Sequence, residues 1–123
     1  MPASLGNISP VEIDPSGVLK YVLIKVRDTS STGAGEGRES EVTIVRATSR
    51  FQYHSDIHEV AEMSLEPLDC EPLGGGLISH DPEAKKIHIY GLSQGFGMAD
   101  HEVTAKLIRE KYPDYNVTVE KEN

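Results

Sequence analysis

One cysteine, a shortage of cations and no long apolar run are the first things this 123-residue chain lacks. Cys70 alone cannot form an internal disulfide, and no two-cysteine metal clip exists, so the sequence predicts a reduced, cytoplasmic setting. Lys and Arg number 12 against 20 Asp and Glu, a net charge of -8. A field of that sign repels nucleic acid and anionic membranes, so neither is expected as a partner and any anion site must be local. The opening MPASLGNISPVEID has no basic region followed by an apolar run, and no segment approaches the length of a bilayer span. No G-x-S-x-G elbow is present, and His80, His88 and His101 are scattered without metal-ligand spacing. Neither serine-histidine-acid catalysis nor a metal site is expected.

What remains is one domain, 1–123, long enough to bury a core without staples and free of internal repeats. GVLKYVLIKV, from Gly17 to Val26, is apolar on both faces, as in a strand covered on both sides. Asp28 to Ser40 is small, polar and glycine-rich, a connection rather than a domain boundary, and Glu41 to Ala47 returns to strand character. A helix is predicted from about Ser55 to Glu66, with Ile57, Val60, Ala61 and Leu65 as its buried face and Pro67 as its stop. LGGGLISH and KKIHIYG flank the turn DPEA as a hairpin. A second helix, from about Ala99 to Lys111, carries Val103, Leu107 and Ile108, and YNVTVE supplies a last strand. The fold class is α/β, a mixed sheet with helices packed on it.

Three features depart from what a bland domain requires. Alternation puts Lys20 on the face of Val18, Val22, Ile24 and Val26, and Arg46 on the face of Val42 and Ile44. Either cation alone fits a side chain reaching water from a strand end, but an unpaired buried charge is costly, and two such cations point to an anion pocket. GLSQGFGMADHE, Gly91 to Glu102, joins an apolar strand to a helix through Gly91, Gly95 and Gly97. Such a junction can aim several backbone N–H groups, with the Ser93 hydroxyl, at one anion and add the dipole of the helix that follows. It lacks the lysine of a nucleotide P-loop and the full dinucleotide spacing, and a loop that only turns the chain is the commoner case. His54 in YHSDIHEV stands at a predicted helix start, where the positive end of the dipole disfavours the imidazolium. The ring is then able to accept a proton, as a general base must; alone, it reads equally as a packed residue.

DPSGVLKYVLIKV, IVRA, YHSDI, LGGGLISH, KKIHIYGLSQGFG and KYPDYNVTVE, in this order and spacing, resemble the Janus family of protein phosphohistidine phosphatases. The resemblance covers about Val11 to Glu120. It implies a compact α/β domain, a central mixed sheet with helices on both faces. It also implies a metal-independent, cofactor-free phosphatase, expected to be a monomer, acting on phosphohistidine-containing proteins with some activity on phospholysine. On this resemblance the catalytic histidine is His54, the phosphate-binding lysine Lys20 and the supporting arginine Arg46. Ser93 and Gly95 belong to the phosphate loop, and Tyr53 and Ser55 stand beside the histidine.

One position departs from the pattern. Where the family usually has an arginine after LGGG, this chain has Leu77, which removes a bidentate partner for phosphate oxygens. Arg50 is a candidate local substitute. The alternative function is therefore a phosphohistidine-binding or regulatory protein with weak or no turnover.

Overall fold

The computed structural model describes residues 8–28, 40–66 and 68–120. Most of the expected connection from Asp28 to Ser40 and the expected stop at Pro67 lie outside the described residues. The elements are β1 (Val11–Ile13), β2 (Gly17–Asp28), β3 (Ser40–Thr48), α1 (His54–Ser64), β4 (Asp69–Asp81), β5 (Lys86–Tyr90), α2 (His101–Lys111) and β6 (Asn116–Val119). They form one six-stranded sheet in the order β1-β3-β2-β4-β5-β6. β1 pairs parallel with β3, and β6 with β5; the remaining pairs are antiparallel, so the sheet is mixed.

The two-faced apolar character of β2 follows from its central place between β3 and β4. Leu19, Tyr21 and Leu23 point to one face, where Ile78, Ile87, Ile89 and the α2 residues Ala105 and Ile108 complete a core. Val22, Ile24 and Val26 point to the other, where Ile44, Cys70, the α1 residues Ile57 and Ala61, and Leu65 at the α1 C-cap close a second core. The helices thus cover opposite faces. Two residues expected in their stripes lie outside them: Val60 and Val103 are exposed, and Thr104 and Ala105 are buried in α2 instead. In α2 the buried stripe is His101, Thr104, Ala105 and Ile108, so polar side chains share the seam with apolar ones. Among the described residues no helix is long and apolar enough to cross a membrane.

Two strand features were absent from the sequence reading. β1 is three residues long and joins the sheet only through its pairing with Val45, Arg46 and Ala47. β4 begins at Asp69, ahead of a proline that ordinarily argues against a strand. Pro72 is accommodated because the β2–β4 register shifts between Leu23 and Ile24, which pair with Gly74 and Pro72. The extra residue Leu73 is a β-bulge, the place in a sheet where proline is tolerated. Cys70 and Leu77 are seven apart, which regular alternation would send to opposite faces. The bulge returns both to the α1 face, so the end of β4 that carries Leu77 lies under the start of α1.

Candidate active site

The bulged end of β4 is built of glycine because side chains from both helices' faces press against it. A Cβ at Gly75 would stand 2.6 Å from the Tyr21 carbonyl oxygen, 2.9 Å from Cδ2 of His54 and 3.1 Å from Cβ of Ser93. One at Gly76 would meet Cε1 of His101 and Cε2 of Tyr21, each at 2.8 Å, on the opposite face. Gly74, at φ +142°, lets the backbone of Ala99 come within 2.7 Å of its would-be Cβ. LGGG is therefore the floor on which His54 and Ser93 rest from above and His101 from below.

His54 is the first residue of α1. Its Nε2 lies 2.9 Å from the Gly76 carbonyl oxygen. A carbonyl only accepts, so Nε2 carries the proton and Nδ1 is left as the basic nitrogen. Among the described residues no side chain caps α1; Tyr53 precedes it in extended conformation and contributes only its carbonyl, to Asp56 N–H at 3.1 Å. The amides of His54 and Ser55 thus stay open at the positive end of the helix, an arrangement suited to an anion.

The glycine-rich loop closes on itself. Ser93 N–H donates to the Gly97 carbonyl at 3.2 Å, and Gly97 N–H returns to the Ser93 carbonyl at 2.8 Å. Gly97, at φ +83°, adopts the left-handed turn that this closure needs. Phe96 N–H donates to Ser93 Oγ at 3.1 Å, and the Gly97 carbonyl also accepts from Gly75 N–H at 3.0 Å, pinning the loop to β4. The N–H groups of Gln94 and Gly95 donate to no acceptor among the described residues. The Phe96 ring stands edge-on to His58, one turn along α1 from His54, and so ties the loop to the helix.

These pieces enclose a cleft of about 580 Å³. Lys20, Tyr53, His54, Ser55, Ser93 and Gly95 line it, together with Gln52, Leu77, Leu92, Gln94 and Phe96. Lys20 pairs in register with Leu77 and has no ion-pair partner among the described residues. Among the described residues it is the one cation that lines the cleft, and no carboxylate lines it.

Two expected residues are not in this cleft. Arg46 lines a separate groove on the other flank of α1, where its Nε approaches Glu12 at 3.5 Å and its Nη1 donates to the Val45 carbonyl at 2.9 Å. Burial, partly offset by Glu12, pulls its guanidinium below the ordinary value. Arg50 lies in the same groove, over the Phe51 ring, and so does not stand in for a cation at Leu77. A third expectation is corrected. The helix following the glycine loop does not present its N-terminus to the cleft, because the Asp100 carboxylate caps α2 by accepting from the amides of Glu102 and Val103. The helix end at the cleft belongs to α1.

The sequence reading missed the Gln94 amide and the open amides of α1. The first was discoverable, since Gln94 lies between Ser93 and Gly95; the second needed the packing of α1 over β4. Also missed was the buried network below the floor. Thr104 Oγ1 donates to Tyr21 Oη at 3.1 Å, the Tyr21 hydroxyl donates to Nδ1 of His101, and Nε2 of His101 donates to the Gly91 carbonyl at 2.9 Å. Burial pushes the Tyr21 phenol well above its usual range, which keeps it a donor. No cluster of metal-ligating side chains occurs among the described residues.

Residues 5–116 match the Janus/Ocnus family (Ocnus). The chain belongs to the Janus/Ocnus family. A 14 kDa phosphohistidine phosphatase from Sus scrofa is 47% identical over 118 residues, 94% of this chain and 92% of that protein. The 14 kDa phosphohistidine phosphatase of Homo sapiens is 45% identical over 118 residues, covering 94% and 93%. The sex-regulated protein janus-A of Drosophila melanogaster is 37% identical over 121 residues, 97% of this chain and 84% of that protein. Within the Janus/Ocnus family, this chain is thus similar to both phosphohistidine phosphatases and janus-A proteins over nearly its whole length.

Proposed function

We propose that this chain is a protein phosphohistidine phosphatase that hydrolyses the P–N bond without a metal. The observation that carries the reading is the cleft itself: one cation with no ion-pair partner among the described residues, a row of open amides and a histidine whose free nitrogen is Nδ1, all around one cleft. The names of the mammalian relatives supply the substrate class.

In the proposed reaction the Lys20 ammonium, the Ser93 hydroxyl and the amides of Gln94 and Gly95 hold the phosphoryl oxygens. The amides at the start of α1, Ser55 among them, complete the cradle, and Tyr53 forms the rim. Water attacks phosphorus in line with the P–N bond while Nδ1 of His54 takes its proton. The Gly76 carbonyl holds the other ring nitrogen and stabilises the imidazolium that results. Among the described residues no carboxylic acid lines the cleft to protonate the leaving group. A phosphohistidine ring that enters with a proton on its unphosphorylated nitrogen leaves as neutral imidazole and needs no such acid. Arg46 supports the site from the far side of α1 rather than by touching phosphate. The setting is a monomeric, single-domain protein acting in the cytoplasm.

The test is to follow a phosphohistidine peptide by phosphorus NMR with the wild-type chain in the presence of a chelator. Inorganic phosphate and unmodified peptide are the expected products. An intact peptide that binds the protein would replace this reading with a second one, a phosphohistidine-binding protein, which the presence of Leu77 beside Lys20 favours. Phosphate trapped on His54 in an alkaline quench would make that ring the nucleophile instead of the base.

A further inference from the structure

The second groove touches no reacting atom in the reaction just described, yet it opens on the same helix. It measures about 350 Å³ and lies between α1 and the β1 edge of the sheet. Ile57, Val60, Ala61 and Phe51 give it an apolar wall, and Arg46, Arg50 and Lys111 bring three cations to it.

The cations are incompletely satisfied. Arg50 makes no ion pair among the described residues; its guanidinium only stacks 5.6 Å above the Phe51 ring. Arg46 keeps only 13% of its side chain exposed, and its one acidic partner among the described residues, Glu12, is itself 61% exposed at 3.5 Å. Lys111 donates to the Val11 carbonyl at 2.7 Å and retains two further N–H groups. The other acid, Asp14, is already engaged by the Thr48 hydroxyl at 3.0 Å and the Ser49 amide at 3.0 Å. On a chain of net charge -8, this is a local reversal of sign with an apolar floor. A long-stemmed carboxylate fits that chemistry, with methylenes on the apolar wall and the anion between guanidinium groups.

We propose that this groove docks a glutamate or aspartate side chain of the phosphohistidine protein while the cleft holds its phosphoryl group. This rests on the phosphatase reading above. The two openings flank α1 and are joined by the consecutive residues Arg50 to Ser55. A helix with its side chains is about 10–12 Å across, and an extended peptide advances about 3.3 Å per residue. The docked acid therefore stands about three or four positions from the phosphohistidine.

The experiment uses the full chain and matched phosphohistidine peptides with Glu or Gln three or four positions to either side, with free phosphohistidine as a substrate that has no docking residue. One Glu position should lower KM about tenfold relative to its Gln partner, the scale of a charge-assisted hydrogen bond, with kcat unchanged. Arg50→Gln should erase that difference and leave free phosphohistidine turnover as in the wild type. Added salt should shrink the preference. Equal KM for Glu and Gln peptides at every position, with hydrolysis proceeding, overturns the docking site. Absence of hydrolysis of every substrate overturns the phosphatase reading instead. In that case fluorescence anisotropy of the same peptides still decides docking: a Glu-over-Gln preference that Arg50→Gln removes supports it, and equal affinities refute it.

Discussion

Leu77→Arg is the most informative change, because the register puts the new side chain directly beside Lys20. Cβ atoms of paired residues on adjacent strands are about 4.5–5.5 Å apart, so the guanidinium reaches the cleft that Lys20 lines, where the proposed reaction puts the phosphoryl group. A charge-assisted hydrogen bond to phosphate contributes about 1.5–3 kcal/mol. If it is made to the transition state, at about 1.4 kcal/mol per decade, kcat rises about 10- to 100-fold. The cost falls on the free protein, since like charges directly opposite on a sheet destabilise by about 0.2–1 kcal/mol. At about 2.1 cal/mol/K per residue over this 123-residue chain, that lowers Tm by up to about 4 °C. Inorganic phosphate should restore the loss by bridging the two cations. The assay is phosphate release from a phosphohistidine peptide, with thermal melts at several phosphate concentrations. A folded variant with unchanged kcat and no added protection by phosphate would refute the placement of the reacting group between β2 and β4.

The remaining predictions follow from the floor and the cores. Gly75→Ala places a methyl against the Tyr21 carbonyl and the His54 ring; overpacking of this kind costs about 1–3 kcal/mol, and a histidine displaced by about 1 Å loses about 10²-fold in kcat/KM. Melts and initial rates check it, and native values for both would contradict the role of the glycine. Tyr21→Phe leaves the buried Nδ1 of His101 without its donor, which should cost about 1–3 kcal/mol in urea unfolding; an unchanged midpoint would show that the network contributes nothing. Burial raises the Cys70 thiol above its usual range, so alkylation of the folded protein should lag behind that of a model thiol at neutral pH and accelerate only at higher pH. The sign for stability follows: the neutral thiol's contribution is intact below the unfolded thiol's range and is lost as pH rises through the folded one. Rapid labelling of the native chain at neutral pH would contradict the buried placement.

The sequence was most legible where one local rule decides. Alternation and β-branching located β2 and β3, and the turn DPEA marked the hairpin of β4 and β5. Periodicity located both helices to within two residues of their starts. β1 was hidden because three residues carry no periodicity and its partner lies more than thirty positions away. The start of β4 was hidden by Pro72, which is compatible with a strand only because a bulge lies there. The same limit applies to the site. Alternation alone found Lys20 and Arg46 as cations, each on an apolar face of its own strand; the β2–β3 register puts both on one face of the sheet, but α1 lies across that face and divides them between two openings. The glycine loop was visible in the sequence; which helix start would face it was not, because Asp100 caps the nearer one and only packing brings the uncapped start of α1 beside it.

The most direct test of the central claim is the rate of phosphate release from a phosphohistidine peptide by the wild type and by His54→Ala, in the presence of a chelator. The proposed reaction makes Nδ1 of His54 the general base, so the account predicts release by the wild type and a loss of about 10²-fold or more in the variant, the scale of a general base, with phosphopeptide affinity retained through Lys20 and the loop amides. Equal rates from the two folded proteins would contradict it.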